Sequence, residues 1–334
     1  MILILSKENF EASTEQVSEW LSFFGAKYHR INGDTCLLNS KFIYKIDNSF
    51  EEENSMAEII PNGVTFVWYR RYFDNNYFDE IINSVKKLIP NSQLSILHEY
   101  LKLEKSSLDR LILNKIKNIP SLSSHGTSFI NKIECLEFAK SLEINIPATL
   151  ISNSKIEINN FAKKQNVIVK NIKDVFAVNT KFVRFSSKTV VPSRKQLNKI
   201  DDKIFPSLLQ EKIEKLFEIR AFYLDNKFYS MAIFSQANEK TEIDFRNYDM
   251  NYPNRTVPYK LPKGLEVKLK LLLKKFKLKT ASIDLIMAKN GIIYFLEINP
   301  VGQFGMVSHP CNYNLERKIA KYLIKKSKLY EKSI

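Results

Sequence analysis

The sequence predicts a mixed α/β protein of two or three subdomains. Three observations carry that reading. The chain has 334 residues, long for one compact domain and suited to units of roughly 100 residues each. Short apolar runs alternate with amphipathic stretches through the first hundred residues. Two long apolar runs near residue 290 flank Asn290-Gly291, a strong short-range signal for a β-hairpin.

Taken in order, MILILS predicts a buried strand, and Val17, Trp20, Leu21 and Phe24 mark a helix over 14–24 that Gly25 stops. KFIYKI and VTFVWYR predict two further strands, the second running into Arg70 and Arg71. Phe78 to Leu88 is amphipathic and Pro90 closes it. From about Leu101 the chain reads as helical and then loose, with Pro120 and the Gly/Ser-rich SLSSHGTS interrupting it. Asn131 starts a helix over 131–142. NVIVK is a continuous apolar strand ending in Lys170, VFAVNTKFVRF alternates like part of a hairpin, and SKTVVPSRK reads as a polar surface loop or lid. EIRAFYL and KFYSMAIFS are strands, separated from a basic helix over 265–278 by a long tyrosine-rich stretch read as irregular. A helix from Leu315 to about Lys326 closes the chain.

Composition narrows the function. A 44% hydrophobic fraction excludes wholesale disorder, and no run reaches the ~18 apolar residues of a membrane span. The opening lacks the basic start of a signal peptide, and the three cysteines are too widely spaced for a disulfide framework or a zinc knuckle. These features predict a soluble, cytoplasmic protein without a membrane partner. Lys and Arg number 51 against 36 Asp and Glu, a formal charge of +15 that favours polyanionic partners. A nucleic-acid-binding protein is one reading of that charge, yet the basic residues are dispersed and no recognition motif appears.

The segment ASIDLIMAKNGIIYFLEINPVGQFG carries the most chemistry. A two-residue turn at Asn290-Gly291 places Asp284 opposite Glu297, and the period of two puts Asn299 on the same face as Glu297. Opposed carboxylates repel, and a hard divalent cation removes that cost; an Asp, Glu and Asn set suits magnesium with phosphate oxygens completing the shell. Lys132 at a helix start and Lys170 at a strand end are candidate phosphate partners. No GxxxxGK[ST] or GxGxxG occurs, so neither a P-loop nor a dinucleotide-binding fold is supported.

The order Lys132, Lys170, QEKI with EIR, and D…LEIN resembles the ATP-grasp ligases over nearly the whole chain. Within them, VWYRR, NKIECLEFAKSLEINIPATLIS, DFR and LEINPVGQF are similar to the graspetide synthetases, peptide macrocyclases that form ω-esters or ω-amides, and most of all to their grasp-with-spasm branch. The resemblance implies an ATP-grasp α/β (α+β) fold: an N-terminal open α/β domain over 1–103, a central subdomain over 104–200 and a C-terminal subdomain over 201–334, the last two clasping ATP. It implies ATP and Mg2+ as cofactors. Lys132 and Lys170 would hold phosphates, the backbone at Glu211 and Ile213 would contact adenine, and either Glu214 or Glu218 would lie near the ribose. Asp284, Glu297 and Asn299 would bind magnesium. Arg220 and Arg246 would steady the acyl phosphate and the incoming carboxylate, with Arg70 and Arg71 on the substrate side.

The implied partner is an acidic precursor peptide with a leader segment, without a specific nucleic acid, and a homodimer is the implied assembly. The stretch 176–195, with Arg184, Lys188 and Arg194, is either a docking site for the leader or only a nucleotide lid. VFAVNT departs from the glycine-rich phosphate loop of many ATP-grasp relatives. An ATP-grasp ligase that adds free amino acids to a peptide or protein carboxylate is the competing enzyme reading.

Overall fold

A computed structural model describes residues 1–8, 11–33, 35–39, 43–44, 59–72, 78–173, 177–179, 184–186, 189–237, 241 and 251–331. Two compact units divide the chain: Met1–Phe129 with Gln303–Ser308 and Asn314–Ile334, and Ile130–Gly302 with His309–Tyr313.

The first unit is an open parallel sheet. Its elements are β1 (Ile2–Ser6), α1 (Ala12–Phe23), β2 (Tyr28–Asn32), α2 (Cys36–Asn39), β3 (Phe66–Tyr69), α3 (Asp79–Val85), α4 (Asn91–Ile116) and β4 (Ser121–Ser123). The sheet order is β2-β1-β3-β4, with every pair parallel. All five residues of β1 are buried, as a strand covered on both faces requires. Gly25 takes φ +64°, the left-handed conformation that ends α1 as expected. The neighbour of β1 is Tyr28–Asn32. In the predicted strand KFIYKI, Ile43 and Tyr44 belong to no regular element, and the rest lies outside the described residues. Pro90 closes α3 and also caps α4, which therefore begins ten residues before Leu101. SLS of the loose stretch is an edge strand because β3 offers it a parallel partner.

The second unit begins with α5 (Lys132–Ser141), where Asn131 accepts from the amides of Ile133 at 2.9 Å and Glu134 at 3.4 Å. There follow β5 (Thr149–Ser152), α6 (Lys155–Lys164), β6 (Val167–Lys170), β7 (Ala177–Asn179), β8 (Arg184–Ser186), α7 (Arg194–Asn198), β9 (Ser207–Glu211), β10 (Lys215–Leu224), β11 (Lys227–Phe234), β12 (Arg255–Tyr259), α8 (Lys263–Lys275), β13 (Thr280–Ala288) and β14 (Ile293–Asn299). An antiparallel sheet β5-β9-β6 carries α6 and α7, and β7 pairs β8 in a hairpin. Within SKTVVPSRK, read as a surface loop or lid, the described residues 189–195 include regular structure. Val190 pairs with Val169, and Ser193 and Gln196 form a capping box that starts α7.

The larger antiparallel sheet has the order β12-β11-β10-β13-β14. One face packs Ile219, Ala221, Ile283, Leu285 and Phe295 against Leu136 and Ala139 of α5 and Leu269, Leu272 and Leu273 of α8. β12 falls within the stretch read as irregular. Its Pro258 is compatible with a strand because β12 lies at the sheet edge. The chain then returns to the first unit through α9 (Gly305–Ser308) and α10 (Leu315–Glu331), which pack against each other, α10 also packing against α1.

Candidate active site

Burial of the odd-numbered residues of β10 and β13 dictates where the even-numbered ones go. Ile219, Ala221, Ile283 and Leu285 enter the core, so Glu218, Arg220, Ser282 and Asp284 stand on the opposite face. A cleft of about 240 Å³ opens on that side. It is lined by Lys170, Gln210, Glu211, Lys212, Ile213, Glu214, Lys215, Glu218, Asp284 and Glu297, with Ile168, Ile286 and Leu296 among its apolar walls.

Asp284 does lie opposite Glu297, and Asn299 lies opposite Ser282 on the same face, but the turn has a different form. Ala288 and Ile292 pair across a three-residue loop in which Gly291 takes φ +81°. That loop shifts the pairing by one, so Leu285 faces Phe295. A bulge at Leu296 shifts it back before Asp284. A second bulge, at Leu216, brings Lys215 and Glu218 onto one face although strict alternation separates them. Lys215 Nζ bonds Glu218 Oε1, and Ser235 Oγ donates to Glu218 Oε2 at 2.6 Å. Sequence alternation therefore missed Lys215, the buried cation of the cleft; Lys212, Lys289, Thr189 and Gln236 were likewise unmarked lining residues.

Each carboxylate at the cleft floor has a cation. Arg220 Nη1 donates to Asp284 Oδ1 at 2.7 Å, and Lys132 Nζ lies 2.8 Å from Glu297 Oε2. The Glu297 charge adds to burial in pushing the Cys135 thiol up to about 12, burial being the larger cause. The linker between β9 and β10 turns its backbone toward the cleft. The amides of Glu211 and Lys212 bond to Ala148 and Asn166, whereas Ile213 has no backbone partner among the described residues. Ile213 is thus positioned to offer an amide and a carbonyl to a planar heterocycle. Glu214 is 74% exposed and 3.5 Å from Lys289; Glu218 is buried.

The donor set fits a hard cation. Asp284, Glu297 and Asn299 present only oxygen ligands from the carboxylates and amide, and the Ser282 hydroxyl beside them is buried without a hydrogen bond among the described residues. Among the described residues no three His, Cys, Asp or Glu side chains form a metal cluster by themselves, so phosphate oxygens would have to complete the shell. Gly302 closes the following turn over this face. A Cβ there would stand 2.5 Å from Ser282 Oγ, which accounts for the glycine in LEINPVGQF.

The other expected residues lie elsewhere. Arg70 is buried in the first unit, against the rings of Trp68 and Phe304 and 3.6 Å from Glu11; Arg71 is a third exposed and 3.3 Å from the same carboxylate. Arg194 is exposed at the first turn of α7. Arg246, Lys188, VFAVNT apart from Ala177–Asn179, and the DFR segment lie outside the described residues, as does the side chain of Arg184.

A fold of this kind occurs in solved structures. A RiPP-associated ATP-grasp ligase from Chryseobacterium gregarium, in complex with ADP and a leader and core peptide, matches with a TM-score of 0.78 at 24% identity, over 97% of this chain and 95% of the other. The macrocyclase MdnC from Microcystis aeruginosa MRC, bound with precursor peptide MdnA, matches with 0.76 at 24% identity, over 97% and 99%. The D-alanine–D-alanine ligase from Bacillus anthracis matches with 0.53 at 14% identity, over 99% and 98%. The fold is the ATP-grasp fold. No protein-family model and no curated protein matches the chain. In ATP-grasp terms, the cleft lies where the β5-β9-β6 sheet and the five-stranded sheet of the second unit supply facing walls, the first through Lys170 and Gln210 and the second through Glu218, Asp284 and Glu297.

Proposed function

We propose that this protein is a graspetide synthetase: an ATP-dependent ligase that activates Asp or Glu side chains of a ribosomally made acidic peptide and closes ester or amide rings onto its Thr, Ser or Lys side chains. The observation that carries the reading is the cleft itself, where Lys170, Lys212 and Lys215 surround a floor of opposed Asp284 and Glu297. The likeness to the Chryseobacterium and Microcystis ligases supports it.

Lys170 binds phosphate, Ile213 reads adenine through its backbone, and Glu218, fixed by Lys215 and Ser235, accepts from the ribose. Burial favours Glu218 over the exposed Glu214 for that role. Asp284, Glu297 and Asn299 hold magnesium, which when bound neutralises charge on the phosphate oxygens. Lys132 and Arg220 pair with the two carboxylates and orient them at the cleft floor. A peptide carboxylate oxygen takes the γ-phosphoryl group and ADP leaves. The hydroxyl or amine of the same peptide then bonds to the acyl carbon, the C–O bond to phosphate breaks, and the nucleophile's proton passes to solvent. Both groups belong to one bound molecule, which replaces a bimolecular encounter with a near-unimolecular step. The +15 charge attracts such a peptide. The leader docks on the segment 176–195, the reaction takes place in the cytoplasm, and the enzyme works as a homodimer.

The test is mass spectrometry of short acidic peptides incubated with the protein, ATP and magnesium. Loss of one water per ring supports macrocyclisation. Gain of an amino-acid residue supports the competing ligase, and ATP hydrolysis without change in any peptide overturns both.

A further inference from the structure

We propose that Lys132 makes metal binding conditional on nucleotide: the lysine holds Glu297 and yields it to a divalent cation only when nucleotide phosphates take the ammonium group. The inference rests on the ligase reading of the cleft and deepens it, because it assigns an order of binding and the side chain that enforces it.

The two carboxylates at the cleft floor are held unequally. Arg220 and Asp284 leave only 7% and 9% of their side chains exposed, and one guanidinium nitrogen reaches both carboxylate oxygens. They face each other across adjacent strands, and separating them would strand two buried charges. Lys132 and Glu297 are 23% and 20% exposed and meet at 2.8 Å, Nζ to Oε2. An ammonium group is a strongly hydrated point charge on a flexible stem, so a half-open lysine pair gains little from a fixed geometry and exchanges partners readily. Asp284 is therefore the fixed carboxylate and Glu297 the exchangeable one.

The place of Lys132 in the chain adds an independent reason. It is the first residue of α5, directly after the capping Asn131, so its backbone is fixed and only the side chain can move. A cation there opposes the positive end of the helix dipole, and a nearby anion offsets that cost. Glu297 is such an anion; a phosphate group carries more charge and competes for the same ammonium. A divalent cation arriving alone meets a paired Glu297 and must displace the ammonium, which then stands beside it as a like charge. With ATP, the phosphates take the ammonium and supply the remaining oxygen ligands of the metal. Metal and nucleotide are thus coupled through one lysine, and by linkage each strengthens the binding of the other.

Electron paramagnetic resonance of Mn2+ on the full chain, without nucleotide, tests the coupling, because it reads the metal alone and not turnover. Lys132→Met is expected to bind Mn2+ about tenfold or more tighter than wild type, since the freed Glu297 then repels Asp284 and a cation relieves both. Lys132→Arg keeps a cation on the carboxylate and should stay near wild type. Adding Glu297→Gln to Lys132→Met should abolish the gain, which separates release of Glu297 from a general loosening of the fold. Equal Mn2+ affinity in wild type and Lys132→Met, or a gain that survives Glu297→Gln, overturns the proposal. Wild type supplies a check that needs no variant: a micromolar Kd for Mn2+ without nucleotide also overturns it. Equilibrium dialysis of a non-hydrolysable ATP analogue with wild type and Mg2+ keeps the ligase reading distinct. An analogue that binds while Mn2+ ignores Lys132→Met defeats this inference alone, and an analogue that does not bind defeats the reading beneath it.

Discussion

Arg220 donates through a single nitrogen, Nη1, to both carboxylate oxygens of Asp284, at 2.7 and 2.8 Å, and the two residues face each other directly across β10 and β13. Both are buried, and Arg220 Nε has no hydrogen bond among the described residues. The guanidinium therefore holds a carboxylate that lines the cleft.

Asp284→Asn and Glu297→Gln preserve volume and remove charge. Each is expected to reduce peptide-dependent phosphate release by on the order of a hundredfold or more. Asp284→Ala has a second consequence, because it strands a buried guanidinium; chemical denaturation should show a loss of about 3–5 kcal/mol. Wild-type turnover in either charge-removing variant would remove both residues from the metal site.

Lys170 ends β6 at the wall of the cleft, whereas Lys268 on α8 bonds to Glu143 and Lys274 belongs to the same basic helix. Lys170→Ala should raise the KM for ATP by about tenfold or more, the value of one charge-assisted phosphate contact. Lys268→Ala and Lys274→Ala should leave it unchanged, and equal effects in all three would deny the strand-end lysine a special role.

Glu218 and Glu214 separate by environment. Glu218→Gln and Lys215→Met should both raise the KM for ATP, the first through a lost acceptor and the second through a carboxylate no longer held in place. Glu214→Gln should leave the KM for ATP near wild type, since an exposed pair at 3.5 Å contributes little. Steady-state kinetics in ATP that rank Glu214→Gln as the most damaged would reverse the assignment.

Cys135 gives a pH dependence whose sign is fixed. Its folded pKa, pushed to about 12, lies above the usual 9.0, so the native state keeps the proton longer than the unfolded chain does. The resulting stability is full below pH 9 and is lost as pH rises toward 12. Denaturant unfolding across that window should show a steeper decline for wild type than for Cys135→Ala; parallel declines would exclude the thiol as a source.

Gly302→Ala places a methyl against Ser282 and should cost about 1–3 kcal/mol, the usual penalty of overpacking. Ser282→Gly in the same chain should restore most of it, as read from the thermal unfolding midpoint. A double variant no more stable than Gly302→Ala alone would locate the strain elsewhere.

The sequence by itself determined the elements whose signals are local. Continuous apolar runs gave β1, β3, β6, β13 and β14, Asn131 gave the start of α5, and Gly25 the end of α1, because burial periodicity and capping act within a few residues. The opposition of Asp284 and Glu297 was also legible, although two irregularities of one residue each, the Gly291 loop and the Leu296 bulge, cancel to produce it. Tertiary structure alone decided what depends on a distant partner. β4 and β12 are strands because β3 and β11 present unpaired edges to them, not because SLS or RTVPY has a strong pattern. The Leu216 bulge breaks the period of two on which face assignment rests, so Lys215 enters the cleft beside Glu218 against its own alternation. Arg70 follows the same logic in the first unit: a basic residue at a strand end reads as exposed, but Glu11, far from it in sequence, supplies the countercharge that makes its burial possible.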